Sequence, residues 1–250
     1  KKEAAGAPLL RPVWFFDARQ QGEPLPDVGT HLVDLVQWML SPEKPLDYRK
    51  DIAVLRGSRK AIHLTRDEFQ RVTGAPEIPA FLKNSVKNDR LEFFADNSVS
   101  HTLRGVHVKL DVLWKFEAPP GAKDTELSIF RGSRARVEVR QGKEENFVPE
   151  VYVVPNRDVD RDAIEAALKR RLEQLRGTYA GLSLRTEGAR FHLLIPDALR
   201  TSHEAHFTLV IRRFLDYLKR PETLPAWEDP NMLAKYFVTT EAIRLAQQGK

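Results

Sequence analysis

Between Arg90 and Val154 the chain is a succession of strand-forming segments separated by tight turn signals, and no other feature limits the fold as strongly. Leu91 to Ala95, Gly105 to Glu117, Glu126 to Phe130, Ala135 to Arg140 and Val148 to Val154 are rich in alternating and β-branched residues. Pro119-Pro120-Gly121, Arg131-Gly132-Ser133 and Gln141-Gly142-Lys143 lie between them. Turns this short leave no room for the crossover that parallel pairing needs, so the strands are expected to pair antiparallel. Pro12 to Asp17, Ile52 to Leu55, Leu182 to Arg185 and Phe191 to Ile195 are further strand candidates.

Helical periodicity occupies the rest. From Thr30 to Leu40, Leu32, Leu35, Val36 and Met39 recur at three- and four-residue spacings. A short helix is expected at Thr65, with Asp67 and Glu68 in its first turn, and a long one over Asp158 to Leu175. Thr201-x-x-Glu204 reads as a capping box ahead of a stripe of Phe207, Val210, Ile211, Phe214, Leu215 and Leu218, which calls for a flat packing partner. A last helix is expected over Asn231 to Gln247. The predicted class is α+β, a large, mostly antiparallel sheet with helices packed on one face. Without a repeat or a long linker, residues 1–250 read as a single domain.

Charge and composition narrow the function classes. Lys+Arg 40 against Asp+Glu 35 leaves +5, spread along the chain rather than gathered into a stripe, so a nucleic-acid partner is not expected. The absence of cysteine excludes a thiolate nucleophile, a zinc-thiolate site and an iron–sulfur cluster, and it leaves the compartment, cytoplasmic or periplasmic, open. Charged and polar residues interrupt each long apolar stretch, so no membrane span is expected. A start at Lys1-Lys2-Glu3 without Met or a targeting segment suggests a piece of a longer protein.

The closest glycines are Gly177 and Gly181, so there is no G-x-G, and a dinucleotide fingerprint or P-loop cannot be built from this chain. The richest cluster is Asp27-Val28-Gly29-Thr30-His31-Leu32-Val33-Asp34. On a helix starting near Gly29, Asp27 and His31 lie one turn apart and Asp34 three residues further on. An imidazole flanked by carboxylates suits acid/base work near neutrality. A helix cap by Asp27 or Thr30, with His31 satisfied in a packing contact, is the plainer reading of the same spacing. His203 and His206, three apart, have a spacing that can ligate a metal on a helix, but no further ligand accompanies them, and no metal site is expected. Ordinary packing in a first helical turn accounts for both; alternatively His203, above Phe207, faces a substrate cleft. Gln141 and Glu144, after a strand, are candidates to hold a sugar-like ligand or simply part of a solvated turn. His101 and His107, six apart, share a face if their strand is continuous.

Several of these segments together resemble a known family. Asp27-x-x-x-His31-x-x-Asp34 after a Gly/Pro-rich turn is similar to the catalytic-domain opening of the Gfo/Idh/MocA oxidoreductases. Arg11 to Asp17, Thr30 to Trp38, Arg131-Gly132-Ser133, Arg140 to Glu144, His203 to Phe207 and Trp227 to Tyr236 resemble the oxidoreductase C-terminal domain of one subgroup. The resemblance implies an N-terminal Rossmann domain, absent from this chain, that binds NAD or NADP, and a C-terminal domain that forms the substrate pocket and a homo-oligomer interface through its sheet face. Carried over residue by residue, His31 is the general acid/base, Asp27 its partner or a substrate hydroxyl ligand, and Asp34 orients the helix start. Asp34, Gln141, Glu144, His203 and His206 are the residues expected around a sugar, polyol or glycoside undergoing hydride transfer. Glu43-Lys44-Pro45 follows the Asp/His motif, whereas the family's catalytic lysine precedes it, so that tripeptide reads as coincidence. Two other readings stay open on the same scaffold: glycoside cleavage or epimerisation through transient oxidation, and a non-catalytic interaction module.

Overall fold

The computed structural model describes residues 3–4, 7–114, 121 and 123–249, with side chains for all of these except 3, 4, 7, 8, 203 and 204. In chain order the elements are β1 (Glu3–Ala4), β2 (Ala7–Pro8), α1 (Gly29–Leu40), β3 (Ile52–Leu64), α2 (Arg66–Thr73), β4 (Val86–Lys87), β5 (Arg90–Leu103), β6 (Val106–Leu113), β7 (Glu126–Arg131), β8 (Ala135–Gln141) and β9 (Glu150–Pro155). They continue with α3 (Arg161–Leu175), β10 (Ser183–Glu187), β11 (Arg190–Leu194), α4 (His203–Lys219) and α5 (Glu228–Gln247). The class is α+β with antiparallel strands throughout, as the turn spacing implies. The strands form two main sheets, one in each of two compact units: Lys1–Ala118 with Arg220–Lys250, and Pro119–Lys219.

In the first unit β5 is central, paired along its length with β3 and on its other edge with β4 and β6. Strict alternation buries Leu91, Phe93, Ala95, Asn97, Val99, His101 and Leu103 on one face of β5. Against that face lies one core built with α1 and α5, from Leu25, Val33, Val36, Val99, Leu103, Ala234, Val238 and Ala242. A second core gathers Phe15, Phe16, Leu64, Phe69, Leu82, Leu91 and Phe93, with Trp114 packed on it. α2 opens on the capping box of Thr65 and Glu68.

Two local expectations change here. Pro12 to Asp17 reads as a strand, but Val13–Phe16 forms a 3-10 turn. Successive strand residues face opposite ways, whereas the turn lets adjacent Phe15 and Phe16 both enter the core, their rings 5.4 Å apart and edge to face. His101 and His107 do not share a face. The Arg104-Gly105 turn, with φ of 48° and 79°, reverses the chain between them. His107 pairs with Thr102, so its side chain lies on the face opposite His101.

His101 is 1% exposed, and among the described residues its Nδ1 has no hydrogen-bond partner. Burial pushes its pKa from 6.5 down to about 4. Below the unfolded value the unfolded chain takes up a proton that the folded chain refuses, so His101 lowers stability as pH falls from 6.5 towards 4. The expected loss is about 3 kcal/mol across that window, and it is absent above it. Urea unfolding at several pH values should show a shallower acid decline in His101→Leu than in the unchanged protein.

In the second unit the sheet order is β10-β11-β9-β8-β7. One face packs Val153, Phe191, Ala135 and Leu184 against Ile164 and Leu168 of α3, whose first turn is capped by Asp160. The register sets Arg185, His192, Tyr152 and Glu138 in one row across four strands. α4 begins with the Ser202 hydroxyl accepting from the Ala205 N–H, while the Glu204 side chain of the expected capping box lies outside the described residues. The stripe expected to pack on something flat is exposed here: Val210, Ile211, Phe214, Leu215 and Leu218 all stand in solvent.

Candidate functional site

The Gln21-to-Pro26 punctuation builds a turn that is pinned to the sheet. Glu23, 5% exposed, accepts from Arg59 Nη1 at 2.7 Å and from Asn97 Nδ2 at 3.0 Å. Asn97 Oδ1 in turn accepts from the Leu25 N–H at 2.9 Å, so the turn is held from two strands. The Arg59 guanidinium also stacks over Phe94, 3.8 Å from the ring centroid. The chain then enters α1 at Gly29, where a Cβ would stand 2.7 Å from Leu25 Cδ1 and 3.4 Å from Val112 Cγ2. A larger residue there would have to push the Leu25 side chain aside. The Thr30 hydroxyl donates to the Asp27 carbonyl at 2.6 Å.

This seat presents His31 at the protein surface, in the first turn of α1, with Asp27 half-buried just before the helix. Among the described residues no side-chain hydrogen bond joins Asp27 to His31, so the imidazole is open to solvent or a ligand. Asp34 reaches Lys235 Nζ on α5 at 3.3 Å, bridging the two helices. A second tie joins the loop after α1 to α5, where Asn231 Oδ1 accepts from the Leu46 N–H at 2.9 Å. Glu43-Lys44-Pro45 lies in an exposed turn. Besides His31, α1 exposes Leu35, Trp38 and Met39, and α5 exposes Met232, Leu233 and Tyr236.

The remaining candidates belong to the second unit. Gln141 and Glu144 line one hollow of about 320 Å³ with Thr125, Glu126, Leu127, Arg140, Gly142 and Glu145. His206 is exposed on the first turn of α4, and the His203 side chain lies outside the described residues. Nearby in register, Glu138 is 2% exposed and held by Arg136 and Arg140. Burial raises its carboxyl pKa, but hydrogen bonds from both arginines outweigh that and hold it below the ordinary value. His192 meets Glu187 at Nδ1 and Glu150 at Nε2, at 3.0 and 3.1 Å. The hydrogen bond from Arg185, working against burial and helped by His192, holds Glu187 down at about 2. Among the described residues no group of three His, Cys, Asp or Glu is placed to hold a metal, and no helix is long and apolar enough to cross a membrane.

Comparison with known proteins places this geometry. The family model for the putative oxidoreductase C terminal domain matches residues 1–247. The chain belongs to that family. A crystal structure of a putative oxidoreductase from Parabacteroides merdae superposes with a TM-score of 0.95 at 42% identity, covering 100% of this chain and 57% of that one. The chain therefore spans little more than half the length of that relative. No curated protein matches it.

The sequence contains no G-x-G, and among the described residues α1 starts from a turn rather than from a strand. The contacts of the turn fix the start of α1 and leave the His31 side chain exposed on it. Glu23, Arg59 and Asn97, which fix that seat, escape a reading of the sequence. A glutamate between Gly22 and Pro24 looks like a solvated turn residue, and its partners lie 36 and 74 residues away. The alternation of β5 gives a partial signal, since Asn97 falls at a position otherwise occupied by apolar residues.

Proposed function

We propose that this domain forms the substrate side of an NAD(P)-dependent oxidoreductase acting on a sugar, polyol or glycoside. The observation that carries the reading is His31, exposed beside Asp27 at a helix start pinned on both sides, in a domain of an oxidoreductase family. His31 takes the proton of a substrate hydroxyl as the carbinol carbon becomes a carbonyl, and it returns the proton in the reverse direction. Asp27 orients the imidazole or accepts from a neighbouring substrate hydroxyl. The nicotinamide, held by a Rossmann domain in the rest of the protein, supplies the hydride acceptor.

The apolar residues exposed on α1 and α5 support a further protein surface over this face, and the greater length of the Parabacteroides merdae relative supports a second domain. The open face of the β3-β5-β6 sheet carries Arg56, Ser58, Ser98, Ser100 and Lys109 around a hollow of about 250 Å³, and a homo-oligomer contact through it would be polar. The test is isotopic. A sugar deuterated at the oxidised carbon should pass its label to the nicotinamide when incubated with the whole protein. Absence of label with either cofactor across aldoses, polyols and glycosides would remove the reading.

A further inference from the structure

α4 is a helix of 17 residues in which no described side chain is buried. A helix of this length is marginal in water on its own, and Val210, Ile211 and Phe214 are weak helix formers, so packing has to supply its stability. What α4 offers for packing is regular. Phe207, Ile211, Phe214 and Leu218 follow spacings of four, three and four, the a/d seam of a heptad, and Val210 and Leu215 flank that seam on its two sides. His206, Arg212, Arg213, Asp216 and Lys219 fall on the remaining sides of the helix, with Leu209 the one large apolar residue among them. A seam of this kind is filled by the knobs of another helix.

The seam is also its own match. Counted from the peptide bond between Arg212 and Arg213, apolar residues recur at equal distances in both directions: Ile211 mirrors Phe214, Val210 mirrors Leu215, and Phe207 mirrors Leu218. An interface across a two-fold axis has to be self-complementary in this way. With two such helices antiparallel about that point, Ile211 of each copy meets Phe214 of the other, and Phe207 meets Leu218, so every layer sets an aliphatic side chain against a ring. The area is sufficient. These six residues are each 46–60% exposed. Half of a large apolar side chain is about 100 Å², so pairing the two stripes buries about 1,200 Å² in all, where stable interfaces begin.

We propose that α4 pairs antiparallel with α4 of a second copy of this chain, across a two-fold axis beside Arg212 and Arg213. The contact is apolar and helical, distinct from any contact through the polar sheet face, and it does not depend on proton transfer at His31. The competing occupant is the remainder of the same polypeptide, which would cover the stripe within one copy.

Sedimentation of the whole protein at micromolar concentration should show an even number of copies per particle. Ile211→Glu combined with Phe214→Glu should weaken one association step at least about 100-fold, halving that number. Should the double variant melt at a lower temperature, Arg212→Lys gives a second reading from an exposed position off the seam. It places an amine beside the two-fold axis, so an amine-reactive linker added to mixed light and isotopically heavy protein should join position 212 of one copy to position 212 of another. A monomeric whole protein, an assembly that the paired glutamates leave unchanged, or the absence of that link between copies would overturn the proposal.

Discussion

Gly57→Ala should destabilise the protein by about 3 kcal/mol or more, read as a lower urea midpoint with little change in slope. A Cβ at position 57 would lie 1.8 Å from the backbone oxygen of Ala242 and 2.7 Å from its carbonyl carbon. Neither atom belongs to a side chain that can swing aside. Either α5 lifts from β3 or the strand bends, and both open the core that Ala234, Val238 and Ala242 fill completely. The effect extends to the candidate site, because α5 carries Lys235 and Asn231, which tie down α1 and the loop after it. Ser58→Ala, at the exposed neighbouring position, should change stability by no more than about 0.5 kcal/mol. A Gly57→Ala variant as stable as the unchanged protein would mean that α5 is not seated on β3.

The second large effect is expected from Glu23→Ala. Removing one partner of a fully buried charge pair costs about 3–5 kcal/mol; with the Arg59 side chain 24% exposed and able to reach water, the loss expected here is about 2–3 kcal/mol. Here the variant strands Arg59, and it removes one of the two acceptors that Asn97 Nδ2 uses. Glu23→Gln keeps an acceptor for Arg59 and should lose less. Because Glu23 and Asn97 act in one network, Glu23→Ala combined with Asn97→Ala should cost clearly less than the sum of the single changes. Additive losses in that cycle would show that the turn is not held through this contact.

The two variants also separate what the sequence reveals from what it conceals. Antiparallel pairing was legible because tight turns sit between the strand candidates, and α1 was legible because its apolar residues follow a helical period. The division of the strands into two sheets was not, because composition does not say which strands share an edge. Phe15 and Phe16 lie in a segment with strand propensity, yet both are needed in one core, and packing overrides the local preference. The α4 stripe announces a partner without naming it. For the candidate site, the Asp27–His31 spacing was visible, but the side chains do not hydrogen-bond to each other. The supports of the site, Glu23 with Arg59 and Asn97, arise only when distant strands meet.

The central claim concerns a single imidazole and is best tested by turnover of the whole protein carrying His31→Ala. Loss of a positioned acid/base should lower kcat/KM at least about 100-fold, while affinity for the nicotinamide cofactor and the melting temperature stay unchanged, because His31 is exposed and supports no core contact. Turnover within about twofold of the unchanged protein, with the cofactor bound and the fold intact, would contradict the assignment of proton transfer to His31.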